Sequence, residues 1–355
     1  MENVELRIWK VKDIEATTEP FKDLKDPHKF VAVCDAKWRS LVLKNPCQEP
    51  EDLAMVLAIA GDTIVGRLGF FQAKIRLHGQ IHKTYWTDGF FLAPEYKSSG
   101  AGGMILLRSI GMLKTICAAG GPDVAAQKLY KASGFVFLGT MRRHIRVFKG
   151  KIVAGKLLGS SPISGALGAC ISPVLALINL LKPFKKPALR FEPVREYTSV
   201  VDDLFAQTTE NAFVRDHNLL NWVIAHRDVM PYMIYQGEKP KGYVLLKKYH
   251  HPGGGKRGVP PCGIGCILDW VLVEATDGDR RDLVHFAGAE LKAKGVDLFE
   301  MNVFNKEFDD VCNELGMIVG EGTLAFVRPP AGVKVTPEDP WFITPGAADM
   351  LLMKP

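Results

Sequence analysis

The chain has 355 residues, of which 47% are hydrophobic and 24% are charged. This composition is typical of a globular protein with a buried core, and it excludes a disordered chain, a collagen-like repeat and a disulfide-stapled miniprotein. The formal net charge of +6 suits an anionic ligand, but no basic stripe is interleaved with aromatic residues, so we expect no nucleic-acid partner.

Hydrophobic periodicity and turn residues predict a first half that mixes strands and helices. The predicted strands cover residues 4–11, 54–60, 63–77, 82–92 and 136–148. The predicted helices cover residues 27–43, 102–114 and 124–132. The last of these should end at Ser133-Gly134, because glycine is a common helix stop.

Residues 157–181 form a connector of 25 residues without a charge, followed by Lys182, Lys185 and Lys186. Its length would permit a membrane span, but two prolines and several serines lower its apolarity. We expect a helical pair, within residues 151–187, that packs between the two halves. Contact with a membrane surface through 157–181 and a true span remain the alternatives.

The second half repeats the order of elements, which suggests an internal duplication too diverged to be seen by identity. Its predicted strands cover residues 189–193, 232–235, 242–249, 264–273, 298–303 and 317–326, and its predicted helices 215–226, 279–294 and 307–315. We expect four regions: a first domain at 1–150, the connector at 151–187, a second domain at 188–330 and a Pro-rich tail at 331–355.

The seven cysteines are odd in number and widely spaced, and residues 1–15 contain no apolar core of a secretory leader. We therefore expect reduced thiols and a cytoplasmic protein, with membrane association left open. Cys262 and Cys266 follow His250-His251 but are separated by three residues in a stretch rich in glycine and proline. This spacing is not that of a zinc knuckle, so we expect no metal.

The stretch most informative about chemistry is 92–105, LAPEYKSSGAGGMI. A strand ends at Leu92, proline breaks the ladder, and small residues lead directly into a helix. The helix start offers unpaired N–H groups to a pyrophosphate, its three glycines allow close approach of the main chain, and Lys97 adds a cation. The spacing fits neither a Walker loop nor a dinucleotide fingerprint.

This stretch resembles the signature of the GNAT acyltransferases, which bind acetyl-CoA or another acyl-CoA. Lys97 stands where that family usually has Arg or Gln, and lysine keeps the charge but loses the planar fork. Five positions match the signature: Leu92, Pro94, Tyr96, Gly100 and Gly102.

A second match follows at the expected distance. Leu129-Tyr130 and Gly134-Phe135 are similar to the end of the family's later helix, although Asp123 stands where Asn is usual and the preceding strand is short. The two motifs together cover about 53–148.

The second half lacks the loop, because residues 274–281 are acidic and contain neither the proline nor the Gly-x-Gly. Its Arg215-Asp216 and 220–222 are similar to a segment of bacterial tandem acyltransferase-like proteins. The resemblance therefore implies an α/β fold with a mixed sheet and two GNAT-like domains in tandem, the second degenerate.

The resemblance further implies an N-acyltransferase that moves an acetyl or other acyl group from CoA directly to the amine of a small molecule. The residues implied in binding the acyl-CoA are Phe91, Leu92, Lys97, Ser98, Ser99, Gly100, Ala101, Gly102, Gly103 and Met104. Main-chain N–H groups near Phe91 and Leu92 would stabilise the oxyanion.

Tyr130 is the residue implied as the acid that protonates the leaving thiolate, with a packed tyrosine that anchors its helix as the alternative. As the base we choose Asp88, because strand alternation places it on one face with Trp86 and Phe90, where a carboxylate can have a raised pKa. A structural carboxylate is the alternative, and His82 is a second candidate base.

Two other functions remain open. One is an acyl-CoA sensor or scaffold that binds but does not turn over. The other is a membrane-surface acyltransferase acting on a lipid or polysaccharide precursor. The acceptor, the acyl length and the oligomeric state are not determined by the sequence.

Overall fold

A computed structural model describes residues 3–16, 21–30, 36–120, 124–158, 162–253 and 260–347. The chain divides into two compact units. Unit 1 comprises Met1–Gly139, Thr209–Val214 and Leu324–Trp341. Unit 2 comprises Thr140–Thr208, Arg215–Thr323 and Phe342–Pro355.

The described residues form fourteen strands, numbered here in chain order. They are β1 Val4–Lys10, β2 Leu53–Ala60, β3 Thr63–Leu77, β4 Gln80–Leu92, β5 Ile116–Gly120, β6 Val136–Val147, β7 Arg190–Pro193, β8 Asn211–Phe213, β9 Val229–Gln236, β10 Lys239–His251, β11 Cys262–Leu272, β12 Leu298–Val303, β13 Ile318–Arg328 and β14 Trp341–Phe342. The helices are α1 Val11–Ala16, α2 Ala36–Leu43, α3 Ala101–Met112, α4 Val124–Ala132, α5 Gly150–Leu158, α6 Pro162–Leu181, α7 Val200–Ala206, α8 His217–His226, α9 Asp277–Ala293 and α10 Lys306–Glu314.

Unit 1 has the strand order β1-β2-β3-β4-β5-β13, in which only the β4–β5 pair is parallel. The strand β2 is an uninterrupted apolar run, LAMVLAIA, and all of its residues are buried. Such a run is typical of a strand covered on both faces. The core of this unit joins Phe70 of β3 to Ile105 and Leu106 of α3 and to Tyr130 of α4.

Unit 2 has the strand order β6-β12-β11-β10-β9-β7, in which only the β11–β12 pair is parallel. Its core packs Trp270 and Phe299 of the sheet against Leu283 of α9 and Val311 of α10. Each unit is thus a mixed sheet with helices packed on it, and the predicted mixed α/β class is confirmed.

Two strands contribute to both units. Residues 324–328 of β13 pair with all of β5 in unit 1, and residues 142–147 of β6 pair with all of β12 in unit 2. The sequence predicts β6 as the last strand of the first half and β13 as the last strand of the second. The predicted boundaries at 150 and 330 therefore do not coincide with the division into units.

Several local predictions differ from the structure. In place of a helix from residue 27, a turn occupies the start of that stretch: Asp26 Oδ1 accepts from the Phe30 N–H (2.7 Å), and Lys29 has a φ of 56°. The helix α2 occupies the end of the predicted range, and residues 31–35 lie outside the described part of the chain. Helix α7 and strand β8, with seven and three residues, are too short for periodicity to reveal.

The connector contains two helices, α5 and α6, which approach closely at glycines. A Cβ on Gly150 would lie 2.3 Å from the Gly168 carbonyl oxygen, and Ser172 Oγ accepts from the Gly150 N–H (3.2 Å). No helix within the described residues is long and apolar enough to cross a membrane.

Candidate functional site

A β-bulge near the end of β4 shapes the region around the predicted loop. Gly69 of β3 pairs with Asp88, whereas Arg67 pairs with Phe91, so that Leu68 lies opposite two residues of β4. One of them, Gly89, has a φ of +60°, and a Cβ there would lie 2.3 Å from Arg67 Nη2. Glycine is therefore needed at this bulge for both its conformation and its size.

Next to the bulge, β4 and β5 are paired over a very short distance. Their parallel ladder consists of the residue pair Trp86 and Cys117, which precedes the bulge. Beyond that point β4 stays bonded to β3 as far as Leu92, while β5 pairs with β13 along its whole length. Main-chain groups of β4 after residue 86 consequently face a gap in the ladder, which is the place expected for oxyanion donors.

The loop after β4 is ordered by its own hydrogen bonds and leads into α3. Ser99 Oγ donates to the Tyr96 carbonyl (2.7 Å) and accepts from the Ala101 N–H (3.2 Å). Gly100 has a φ of 84° and accepts the first helical hydrogen bond, from Met104 N–H. Among the described residues, the N–H groups of Gly102 and Gly103 have no recorded acceptor.

The side chains around this helix start divide into a buried and an exposed set. Ala101 and Gly102 are buried, and a Cβ on Gly102 would lie 2.8 Å from Leu92 Cδ1. A Cβ on Gly103 would meet no atom within 4 Å, and Lys97 and Ser98 are exposed. The open side thus combines two N–H groups that no described residue accepts from, the positive end of a twelve-residue helix and a lysine.

Tyr130 lies in the core of unit 1. It is 4% exposed, and its ring packs against Phe135 (centroids 4.9 Å apart) and Phe326 (5.4 Å). The helix that carries it ends as predicted, because Gly134 has a φ of +80° and the Phe135 N–H bonds back to the Tyr130 carbonyl. Asp123, the motif position where Asn is usual, lies outside the described residues.

Asp88 is buried and has two charged or polar neighbours that sequence reasoning missed. Trp38 Nε1–H donates to Asp88 Oδ2 at 3.3 Å, and Arg67 Nη2 lies 3.7 Å from the same oxygen. The side chains of Arg67 and Asp88 are 3% and 8% exposed, so this is a buried ion pair. The carboxylate is therefore held beside a permanent positive charge rather than on a purely apolar face.

A signal for Arg67 was present in the sequence. The hairpin turn at 78–79 sets Gly69 opposite Asp88, which makes Arg67 the diagonal neighbour on the same face. An arginine on an otherwise apolar face of a strand needs such a partner. Arg67 also lies over the ring of Phe91 (5.5 Å), which is 45% exposed and stacks on Phe30.

The structure does not bring His82 to this region. His82 pairs with Ile75 near the hairpin turn, six residues before Asp88 on the same strand. A strand rises about 3.3 Å per residue, so the two residues are ~20 Å apart. His82 is thus the weaker of the two candidate bases.

Unit 2 also has a bulged strand, β11, with the bulge at Leu268. The next residue, Asp269, belongs to a network of buried polar side chains. Arg215 Nε lies 3.0 Å from both oxygens of Asp269, and the Tyr243 hydroxyl donates to Asp269 Oδ2 (2.8 Å). Burial and the Asp269 charge hold the pKa of Tyr243 well above its ordinary value, so it remains a donor. Thr344, from the C-terminal part of the chain, completes this buried network.

The helix that follows β11 differs from α3 at its start. The Thr276 hydroxyl accepts from the Asp279 N–H, and Asp279 Oδ2 accepts from the Thr276 N–H, which together form a capping box. The chain's own carboxylate thus already occupies the positive end of α9. This contrast favours α3 as the anion-binding helix start.

Comparison with known proteins finds likeness in structure alone. No model of a known protein family matches the sequence, and no curated protein matches it either. A GCN5-related N-acetyltransferase from Anabaena variabilis ATCC 29413 superposes with a TM-score of 0.52 at 14% identity, over 92% of this chain and 72% of that chain.

Saccharomyces cerevisiae N-myristoyltransferase with bound myristoyl-CoA superposes with a TM-score of 0.57 at 11% identity, over 92% of this chain and 82% of that chain. A further structure of the yeast enzyme, with myristoyl-CoA and inhibitors, superposes with a TM-score of 0.59 at 12% identity, over 100% of this chain and 86% of that chain.

The chain has the GNAT fold. The resemblance drawn from the two sequence motifs is confirmed at the level of the fold. The bulged β4, its short ladder with β5 and the glycine-rich start of α3 are the parts of this GNAT fold that carry the candidate site. Among the described residues, no three His, Cys, Asp or Glu side chains are grouped to hold a metal ion.

Proposed function

We propose that this protein is an N-acyltransferase that uses an acyl-CoA as its co-substrate. The observation that carries the proposal is the start of α3, where the main-chain N–H groups of Gly102 and Gly103 have no acceptor in the described part of the chain and lie beside the exposed Lys97. A diphosphate is the group that such a helix start binds best, because it accepts from the N–H groups and neutralises the dipole.

In the proposed reaction, the amine nitrogen of a small-molecule acceptor attacks the thioester carbonyl carbon. N–H groups of β4 near Phe91 and Leu92 stabilise the oxyanion, and the C–S bond then breaks. Asp88 takes the proton that the amine loses, and Tyr130 gives a proton to the departing thiolate. No metal is needed for these steps, and we propose none.

The remaining loop residues are assigned as contacts to the acyl-CoA: Phe91, Leu92, Lys97, Ser98, Ser99, Gly100, Ala101, Gly102, Gly103 and Met104. Acetyl-CoA is the first donor to test, and myristoyl-CoA is the second because it is the ligand bound in the yeast structures. We further propose that unit 2 is a GNAT-like domain without a CoA loop.

A non-catalytic acyl-CoA sensor is the second candidate function. It is favoured by the surroundings of the two proposed catalytic side chains, because Tyr130 is packed among aromatic rings and Asp88 is in a buried ion pair. A sensor would bind the acyl-CoA at the same helix start but would release no thiol with any amine.

The site is tested with a pair of glycine variants on α3. Gly103→Glu places a carboxylate at the helix start, and Gly111→Glu places one about two turns further along α3. A Cβ at either position would meet no atom within 4 Å. We expect the parent to bind acetyl-CoA in the micromolar range. Gly103→Glu should weaken binding at least tenfold by charge repulsion, roughly 1.4 kcal/mol.

Isothermal titration calorimetry measures these affinities, and Gly111→Glu serves as the matched control that should bind like the parent. Equal affinity of Gly103→Glu and the parent would contradict the site. Gly102→Glu is less informative, because its side chain would displace Leu92 and perturb the fold as well. Thiol release with a panel of amines then separates the enzyme from the sensor.

A further inference from the structure

The helix α6 presents an apolar surface to solvent. Val174, Leu177, Leu180 and Leu181 are 58%, 55%, 72% and 72% exposed. Among the residues of α6 whose side chains are described, the exposed ones, here called the α6 face, are Ala169, Cys170, Pro173, Val174, Ala176, Leu177, Leu180 and Leu181. A helix face in contact with water normally carries charged or polar side chains, and an exposed apolar patch of this kind marks an interaction site.

The polar side chains of α6 that the structure describes, Ser172 and Asn179, point the other way and attach the helix to the rest of unit 2. Ser172 Oγ donates to the Gly168 carbonyl (2.8 Å) and accepts from the Gly150 N–H (3.2 Å). Asn179 accepts from Arg146 Nε (2.8 Å) and donates to the Val147 carbonyl (3.2 Å). The helix cannot rotate its leucines inward without losing these bonds, so the outward direction of the α6 face is built into the fold.

The sequence around α6 is one-sided in charge. Residues 140–191 contain ten Lys and Arg and no Asp or Glu, whereas the rest of the chain has 35 Lys and Arg against 39 Asp and Glu. Five of the ten form ion pairs with carboxylates elsewhere in unit 2: Arg142, Arg143, Lys149, Lys151 and Arg190. Lys185 and Lys186 are exposed and form no ion pair among the described residues. They lie within ~18 Å of Leu181 along the chain, because an extended residue spans about 3.5 Å.

We propose that the α6 face binds the surface of an anionic lipid bilayer. The helix lies in the plane of the interface, its leucines enter the outer part of the acyl-chain layer, and the lysines after it meet the headgroups. A second copy of the chain is a poorer occupant, because it would bring two segments of the same positive charge together. The inference stands on this surface alone and does not depend on acyl transfer.

The test is flotation of the full chain with vesicles of equal parts phosphatidylglycerol and phosphatidylcholine, compared with vesicles of pure phosphatidylcholine. The parent should float with the anionic vesicles and bind them at least tenfold more tightly than the neutral ones. The double variant L177D/L181D should lose at least tenfold in affinity, whereas Ile81→Asp, at a 61% exposed position of β4, should bind like the parent.

The charge contribution is measured separately. Lys185→Ala and Lys186→Ala should each weaken binding to the anionic vesicles about fivefold, the change expected for one lysine at such a surface. Light scattering reports the mass of the parent and of L177D/L181D. The proposal is overturned if the parent does not float with anionic vesicles, if it binds neutral vesicles equally well, or if L177D/L181D binds like the parent. A parent dimer that L177D/L181D converts to monomer would assign the face to a second copy instead.

Discussion

Asp88 illustrates how one buried side chain can serve the fold and the proposed chemistry together. Its ion pair with Arg67 lies directly beside the bulge of β4, where Gly89 leaves room for the guanidinium. Removing the charge of Asp88 would leave Arg67 buried without its anionic partner, and that costs stability whatever the role of Asp88 in transfer.

The two roles of Asp88 can be separated by a double variant. Asp88→Asn should destabilise the protein by about 3 kcal/mol, and adding Arg67→Met should recover most of that loss because no buried charge remains. Urea unfolding measures both values. If the refolded double variant binds acetyl-CoA but releases no thiol, Asp88 acts as the base; parent-like thiol release would leave it a structural residue only.

Tyr130 permits a cleaner substitution, because Tyr130→Phe keeps the ring that packs on Phe135 and Phe326. Loss of the proton donor should lower the rate of thiol release at least 100-fold, the usual contribution of a general acid, and leave acetyl-CoA affinity unchanged. Tyr235→Phe in unit 2 is the control. Parent-like turnover of Tyr130→Phe would remove Tyr130 from the mechanism.

At the scale of the element, the starts of α3 and α9 show two ways to satisfy the same helix dipole. The start of α3 has glycines whose N–H groups have no acceptor among the residues that the structure describes, which suits a ligand. The start of α9 is instead capped by Thr276 and Asp279. Burial acts to raise the pKa of Asp279, but hydrogen bonds from Thr276 and the charge of Lys241 outweigh it and hold the pKa below its ordinary value of 3.8.

This pKa shift predicts a dependence of stability on pH. The charged form of Asp279 is favoured in the folded state, so its stabilisation is present above pH 3.8 and is lost as the pH falls below that value. Asp279→Asn should therefore be less stable than the parent by about 1–2 kcal/mol at neutral pH, and the difference should shrink in acid.

Urea unfolding at neutral pH and below pH 3.8 checks this prediction. The control is Asp277→Asn, since Asp277 lies in the same first turn and its side chain is 64% exposed. A stability difference between Asp279→Asn and the parent that is the same at both pH values would refute the linkage.

At the scale of the whole molecule, each unit depends on a strand from the other half of the sequence. Residue Phe326 of β13 is 2% exposed and packs on Tyr130 and Phe137 in the core of unit 1. Phe326→Ala should cost about 3–5 kcal/mol by leaving a cavity there. Ile318→Ala on the same strand, at a 60% exposed position, should change stability by less than about 0.5 kcal/mol.

Chemical unfolding of the two variants measures the difference. A small effect of Phe326→Ala would mean that the first half of the sequence forms its core without β13. A large effect would show that a residue far along the chain stabilises the unit that carries the candidate CoA site.

Local sequence determined much of this protein. The alternation of β4, the proline after it and the glycines before α3 specify a strand, a loop and a helix start through steric and hydrogen-bonding rules that act over a few residues. The stop at Gly134 is equally local. These features were enough to predict the mixed α/β class and the GNAT resemblance.

Tertiary structure alone decided which strands pair and which charges meet. Nothing local in β6 or β13 tells which parallel pair each of these strands extends. Only packing of the two cores selects β13 for β5 and β6 for β12. The same holds for Arg215 and Asp269, which are far apart in the sequence, and for α6, whose leucines face outward because Ser172 and Asn179 form hydrogen bonds inside unit 2.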